Sequence, residues 1–270
     1  MGRYFRPTTL QDALTALATA PWTILAGATD FYPARGTAAA DVDVLDISRL
    51  AAPITRTQDQ WRLPASLTWS GLATAGLPAQ FDALKHAATR IGGPQIQNVG
   101  TLIGNLCNAS PAADGIPCLL ALDATVELAS HRGTRHLQVA DFVTGPRATA
   151  IGPDELAVAL LVPARDDASS AFLKLGARAH LVISIAMLAI TIETTAGRIT
   201  HARVAIGACG PVATRLPRLE AALLGHPPDQ ARVTPDLFTE LAPIDDIRAT
   251  ATYRRHAAVE LVCRGLALLA

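Results

Sequence analysis

Aromatic residues make up only 4% of this 270-residue chain and charged residues only 17%. Neither sign of charge is in excess, since 23 lysines and arginines face 23 aspartates and glutamates. A balanced surface exerts no long-range pull on nucleic-acid backbone or anionic lipid, and so few aromatics leave little for stacking bases. A nucleic-acid binder is thereby disfavoured. Long apolar runs are missing as well. The longest candidate, Val182 to Ile192, carries Ser184 and Thr191 and falls short of the roughly 18 residues that a membrane helix requires. No apolar segment follows the basic residues of the opening MGRYFRPTTLQ, so the expectation is a cytoplasmic protein with no membrane span and no signal peptide. Cysteine is scarce: Cys107, Cys118, Cys209 and Cys263 form no C-x-x-C pair. That argues against a zinc module or an iron–sulfur cluster and for small buried thiols in a reducing compartment. No metal site is expected.

What is plentiful is alanine, at 52 residues, within a chain that is 50% hydrophobic. Such a composition supplies a sizeable core of closely set elements, in one large domain or two modest ones. Thr8, Leu10, Gln11, Ala13, Leu14 and Leu17 predict a capped helix that Pro21 ends. Thr23 to Ala26 and Val42 to Ile47 read as strands, and Trp61 to Trp69 has strand character with Pro64 marking an edge. A helix over Leu77–Arg90 stops at Gly92-Gly93-Pro94, after which Val99 to Ser110 shows no period and reads as a loop. A short helix (Ile116 to Leu122) and strands at Thr125–Ala129, Arg135–Val139 and Glu155–Val162 follow. Beyond the charged hinge Arg165-Asp166-Asp167 come strands at Ala171–Leu175, Leu181–Glu193 and Ile199–Ile206, with a hairpin at Gly197, then helices at Arg215–Leu224 and Ala251–Leu269. Strands and helices mix without strict alternation. The fold class is therefore α+β, with two lobes dividing near residue 165.

Two loops carry the chemistry available. Ile24-Leu25-Ala26-Gly27-Ala28-Thr29-Asp30-Phe31 directly follows a strand, and Gly100-Thr101-Leu102-Ile103-Gly104-Asn105 precedes Asn108, Ser110, Pro111 and Asp114. Small residues mixed with threonine and asparagine let successive N–H groups turn together toward an anion, though each loop alone also suits an ordinary tight turn. Neither is a Walker loop or a G-x-G-x-x-G fingerprint. No nucleophile–base pair or carboxylate pair is convincing, and Asp245-Asp246 suits a helix-capping role. No catalytic side chain is proposed. A cofactor would have to supply any chemistry.

At these same residues the chain resembles the FAD-binding (medium) subunits of molybdenum hydroxylases, the xanthine dehydrogenase and carbon monoxide dehydrogenase group. Tyr4-Phe5-Arg6-Pro7 resembles the family's opening, and Leu25 to Asp30 is similar to its LAGGTD loop. Gln95 to Asn105, then Ala109-Ser110-Pro111 and Asp114, resemble its second loop; Lys174 and Arg178 fit a K-x-x-x-R element. Asp246 to Arg254 resembles its D-x-R-A-S-x-x-YR signature. The resemblance implies a two-subdomain FAD-binding (PCMH-type) fold over 1–165, dividing near residue 55, followed by a C-terminal α+β domain over 168–270. It also implies a flavoprotein subunit that takes electrons from an iron–sulfur subunit and passes them through FAD to NAD or another acceptor. Substrate hydroxylation would belong to a separate molybdopterin-binding catalytic subunit.

On that resemblance the N–H groups of Gly27, Ala28 and Thr29, and of Thr101 to Asn105, receive the pyrophosphate and ribityl oxygens of FAD. Ile24, Leu25, Ala26, Asp30 and Phe31 complete the first loop. Asn105 and Ser110 add side-chain hydrogen bonds, Asp114 accepts from cofactor hydroxyls or pins the second loop, and Lys174 tunes the reduced flavin. Ile91 and Leu102 supply apolar walls. Four residues depart from the family pattern, one of them Ala157, which stands where a larger apolar residue is usual. Ala28 replaces a glycine, a mild change if its φ is negative. Ile103 replaces the first glycine of a GGN pair, where a β-branched residue resists positive φ. Gln97 replaces an arginine and removes a positive charge near the loop. Two alternatives stand beside the flavoprotein subunit: a cofactor-free scaffold of the same complex, for which Ile103 is the argument, and a stand-alone flavin oxidoreductase.

Overall fold

The computed structural model describes residues 2–36 and 41–270. The first helix, Leu10–Thr19, is capped by Thr9, whose hydroxyl accepts from the N–H of Asp12. The cap falls one residue later than Thr8 and Gln11 suggest. Its buried stripe, Ala13, Leu14 and Leu17, packs on a three-stranded parallel sheet in which Val44–Asp46 lies between Tyr4–Phe5 and Thr23–Leu25. Every residue of that central strand is buried.

A five-stranded antiparallel sheet follows, ordered Thr55–Arg56, Gln60–Pro64, Leu156–Pro163, Thr125–Ser130 and Gly133–Gln138. Its middle strand is LAVALLVP, a near-continuous apolar run of the kind that a strand covered on both faces requires. Leu156 and Val158 meet the first helix. Leu160 and Val162 join Leu63, Leu72, Phe81, Leu84 and Leu119 in the main core. Two expectations change here. The strand expected through Trp69 stops at Pro64, and Trp69 instead opens a helix, Trp69–Thr74, capped by the Thr68 hydroxyl. Residues expected as the second loop form a two-turn helix, Leu102–Asn108, capped by Thr101. Seven residues are too few to display a period, although Leu102, Ile103 and Leu106 do form its buried stripe.

The C-terminal part is a four-stranded antiparallel sheet, Ala168–Leu175, Ala186–Thr195, Arg198–Gly207 and Thr214–Arg215. Alternation along its second strand assigns two faces. Met187 and Ala189 pack into the main core, while Leu188, Ile190 and Ile192 face Leu261, Val262 and Leu266 of the long helix Ala251–Leu268. Each such fully buried aliphatic side chain contributes roughly 1.5–3 kcal/mol. Helix and sheet approach so closely that a β-carbon at Gly265 would lie 2.5 Å from Leu188 Cδ2. The strand expected from Leu181 begins only at Ala186, because Leu181 takes a left-handed φ of 51° and its carbonyl is held by Arg178.

Before the long helix, Asp246 accepts from the N–H groups of Arg248 and Ala249 and from the buried Arg254 guanidinium, which also donates to the carbonyls of Ile185 and Ala208. Desolvation opposes ionisation of Asp246, but these donors outweigh it and hold its carboxyl at about 2. A depressed pKa contributes stability that is complete above the ordinary carboxylate range, near pH 4, and is lost as pH falls through the folded value. Asp246→Asn is therefore expected to cost about 2 kcal/mol at pH 7. Denaturant titrations across pH 2 to 7 should show that difference shrinking below pH 4. A pH-independent difference would reject the assignment.

Candidate functional site

The first loop meets Val99 and Gly100, just before the helix Leu102–Asn108, at Gly27. A β-carbon there would lie 2.1 Å from the Val99 carbonyl oxygen and 2.8 Å from Gly100 Cα, a clash that only glycine avoids. Beside this contact opens a cleft of about 740 Å³, within the ~300–1,000 Å³ typical of small-molecule and cofactor sites. The whole first loop lines it: Ile24, Leu25, Ala26, Gly27, Ala28, Thr29, Asp30 and Phe31. Thr101, Ile103, Gly104 and Asn105 face it from the other side, with Ile91 at a wall.

Four residues singled out in the sequence are not among the lining. Leu102 is 1% exposed and points into the core. The Ser110 hydroxyl accepts from the N–H of Ala112. Asp114 is buried with Lys174, their charged atoms 2.6 Å apart, and also accepts from the Ser184 hydroxyl at 2.6 Å. Burial pushes the Asp114 carboxyl up, against the pull of the Lys174 ammonium. One carboxylate thus ties Lys174 and Ser184, which flank the connection between two C-terminal strands, to the helix Gly115–Ala121.

The donors and acceptors of the cleft are poised rather than spent. The N–H groups of Gly27, Ala28 and Thr29 have no acceptor among the described residues. In the second element, Leu102, Gly104 and Asn105 donate to Leu67 O, Thr101 Oγ1 and Thr101 O, which leaves the N–H groups of Thr101 and Ile103 open. Asn105 Oδ1 is buried without a hydrogen-bond partner. An orphaned buried acceptor costs free energy unless a ligand satisfies it. Cys107 also lines the cleft, but burial pushes its thiol up to about 12, which makes it an inert neutral group.

The backbone reverses the expected weight of the departures. Ile103 is helical and 5% exposed, so it bears no left-handed strain, and its side chain packs at the wall of the cleft. Ala28 is the strained one, at φ 58°. Ala28→Gly is accordingly expected to raise stability by about 0.5–1 kcal/mol, the relief of left-handed strain less the added unfolded-state entropy. Thermal unfolding with and without flavin checks this, and a destabilised variant would contradict the backbone assignment. Nor does Gln97 face the cleft, since its side-chain amide donates to the Ile91 carbonyl at 3.1 Å.

Sequence reasoning missed several walls, including Arg35, Ile47, Trp69, Ile151, Leu156 and Ala157. Arg35 carried a readable signal, four residues beyond the aromatic ring that its guanidinium covers at 4.4 Å. The others arrive through strand pairing and helix packing over long separations. Among the described residues no cluster of histidine, cysteine or carboxylate could hold a metal ion, and no helix is long and apolar enough to cross a membrane.

Residues 1–165 match the family described as the FAD binding domain in molybdopterin dehydrogenase. The chain belongs to this family. Residues 171–269 match the CO dehydrogenase flavoprotein C-terminal domain. The nicotinate dehydrogenase FAD-subunit of Eubacterium barkeri is 32% identical over 237 residues, spanning 83% of this chain and 80% of its own. The nicotine 6-hydroxylase medium subunit of Paenarthrobacter nicotinovorans is 29% identical over 273 residues, 97% of this chain and 95% of its own. Carbon monoxide dehydrogenase from Hydrogenophaga pseudoflava superposes with a TM-score of 0.90 at 25% identity, covering 98% of this chain and 96% of that one. FAD is the family's cofactor, and the cleft fits it: an extended ligand bearing phosphates would meet the open N–H groups of 27–29.

Proposed function

We propose that this chain is the flavoprotein subunit of a molybdenum-containing hydroxylase or dehydrogenase. It would take electrons from a partner iron–sulfur subunit and deliver them to NAD or another acceptor, while a molybdopterin-binding partner transforms the substrate. Bound FAD supplies the redox chemistry, accepting and releasing electrons singly or in pairs. The observation that carries this reading is the set of three unspent N–H groups on the first loop, which line one cleft together with Thr101, Ile103 and Gly104.

The residues act by binding and orienting. Gly27, Ala28 and Thr29 present N–H groups to the pyrophosphate, and Gly104 keeps the second helix close behind Thr101 and Ile103. Asn105 offers its amide to a ribityl or ribose hydroxyl, which desolvation makes strong. Ile24, Leu25, Ala26, Phe31, Ile91 and Ile103 exclude water, and Asp30 lies at the rim. Leu102, Ser110, Asp114 and Lys174 support this arrangement from outside the lining, Asp114 by clamping Lys174 and Ser184. The binding unit runs over 1–165, with subdomains dividing near residue 55, and 168–270 forms the C-terminal domain. The backbone argument for the cofactor-free scaffold falls away, because Ile103 is helical, while its side chain still occupies part of the cleft wall.

The route is tested on the purified assembly. Under anaerobic conditions, NADH should bleach the flavin absorbance near 450 nm and then reduce the iron–sulfur centres, the physiological flow run backwards. Flavin that bleaches with dithionite but not with NADH would remove NAD as the acceptor. Absence of co-purifying iron–sulfur and molybdopterin subunits would favour the stand-alone oxidoreductase.

A further inference from the structure

The short hairpin Val143–Gly145 and Ala148–Thr149 turns through Pro146 and Arg147. Arg147 adopts φ 58°. With proline just before it, that is the turn position where glycine or asparagine is preferred. An arginine held in a strained conformation points to a use for its side chain. Its N–H donates to the Ala109 carbonyl at 2.8 Å, which fixes the hairpin against the end of the helix Leu102–Asn108. The guanidinium Nη1 then donates to Asn108 Oδ1 and lies 3.8 Å from Asp30 Oδ1. Asn108 and Asp30 both line the cleft, one from each side. Nε and Nη2 of Arg147 have no partner among the described residues. Arg147 lies just outside the lining, beside Asn108 and Asp30, whereas the guanidinium of Arg35, within the lining, is stacked over Phe31.

We propose that Arg147 is a cofactor-binding residue, placing its free guanidinium N–H groups on the diphosphate of FAD at the rim of the cleft. This rests on the reading of the cleft as the FAD site. Guanidinium donors match phosphate oxygens in geometry and charge. With Gln97 turned away, Arg147 provides positive charge at a position the family's loop motifs do not mark. The Asp30 pair, with both side chains more than half exposed, orients the guanidinium and adds little binding by itself.

The test uses the full chain, stripped of flavin and titrated with FAD and with riboflavin, which lacks phosphate. Arg147→Gly suits the backbone at φ 58° and deletes only the side chain. It should weaken FAD binding about tenfold, flatten the salt dependence of the FAD dissociation constant, and leave riboflavin binding unchanged. Wild-type FAD affinity in Arg147→Gly, or an equal loss of riboflavin, would overturn the proposal. Failure of the unsubstituted chain to take up FAD would sink this proposal together with the function it rests on.

Discussion

Replacing Gly27 by alanine is expected to empty the cleft of FAD. The added methyl would sit 2.1 Å from the Val99 carbonyl oxygen and 2.8 Å from Gly100 Cα, and both obstacles are backbone. No rotamer change relieves the overlap, so the first loop must lift away from the second element. Overpacking of this kind costs about 1–3 kcal/mol in stability. Its larger effect is on binding, because the N–H groups of Gly27, Ala28 and Thr29 move with the loop and no longer converge. Flavin content below about a tenth of wild type is expected, from the 1.4 kcal/mol per decade that any displaced set of hydrogen bonds readily exceeds. Gly76→Ala is the control, since a β-carbon there meets nothing within 4 Å. Full flavin content and unchanged thermal stability in Gly27→Ala would mean that the two loops do not touch as described.

The second large effect is expected at Asn105, where stability and binding should move in opposite directions. Asn105 Oδ1 is buried and has no hydrogen-bond partner among the described residues. Asn105→Leu keeps the branched shape and removes the unsatisfied acceptor, so the flavin-free protein should gain about 1 kcal/mol in stability. Cofactor oxygens would then lose the Asn105 amide as a donor. That should cost roughly 2–3 kcal/mol in affinity, about a hundredfold. Isothermal titration and thermal melts on the same flavin-free preparations report both quantities. A variant that loses stability while binding FAD normally would show that Asn105 serves the core instead.

The sequence reveals the site better than it reveals its mechanics. Runs of glycine, alanine, threonine and asparagine after Leu25 and around Gly104 are unusual enough to mark two loops, and the structure brings both to one cleft. Local composition does not give φ. Ala28 looks innocuous and is strained, whereas Ile103 looks obstructive and is helical, because Thr101 caps a helix too short to announce itself by period. Lys174 and Asp114 meet each other rather than the cleft lining, an outcome that depends on how the C-terminal sheet packs on the helix Gly115–Ala121. Pairings over such distances leave no local trace. The long helix and the Gly197 hairpin, by contrast, rest on periodicity and turn chemistry and are found within a few residues of their expected bounds.

Each of these variants turns on FAD occupying the cleft between the first loop and the helix Leu102–Asn108. The most direct measurement is to purify the protein with whatever partners accompany it, release its bound small molecules by denaturation, and identify and count the flavin. The account predicts FAD at close to one per chain, falling sharply in Gly27→Ala but not in Gly76→Ala. A colourless, FAD-free chain within an otherwise intact assembly would contradict it.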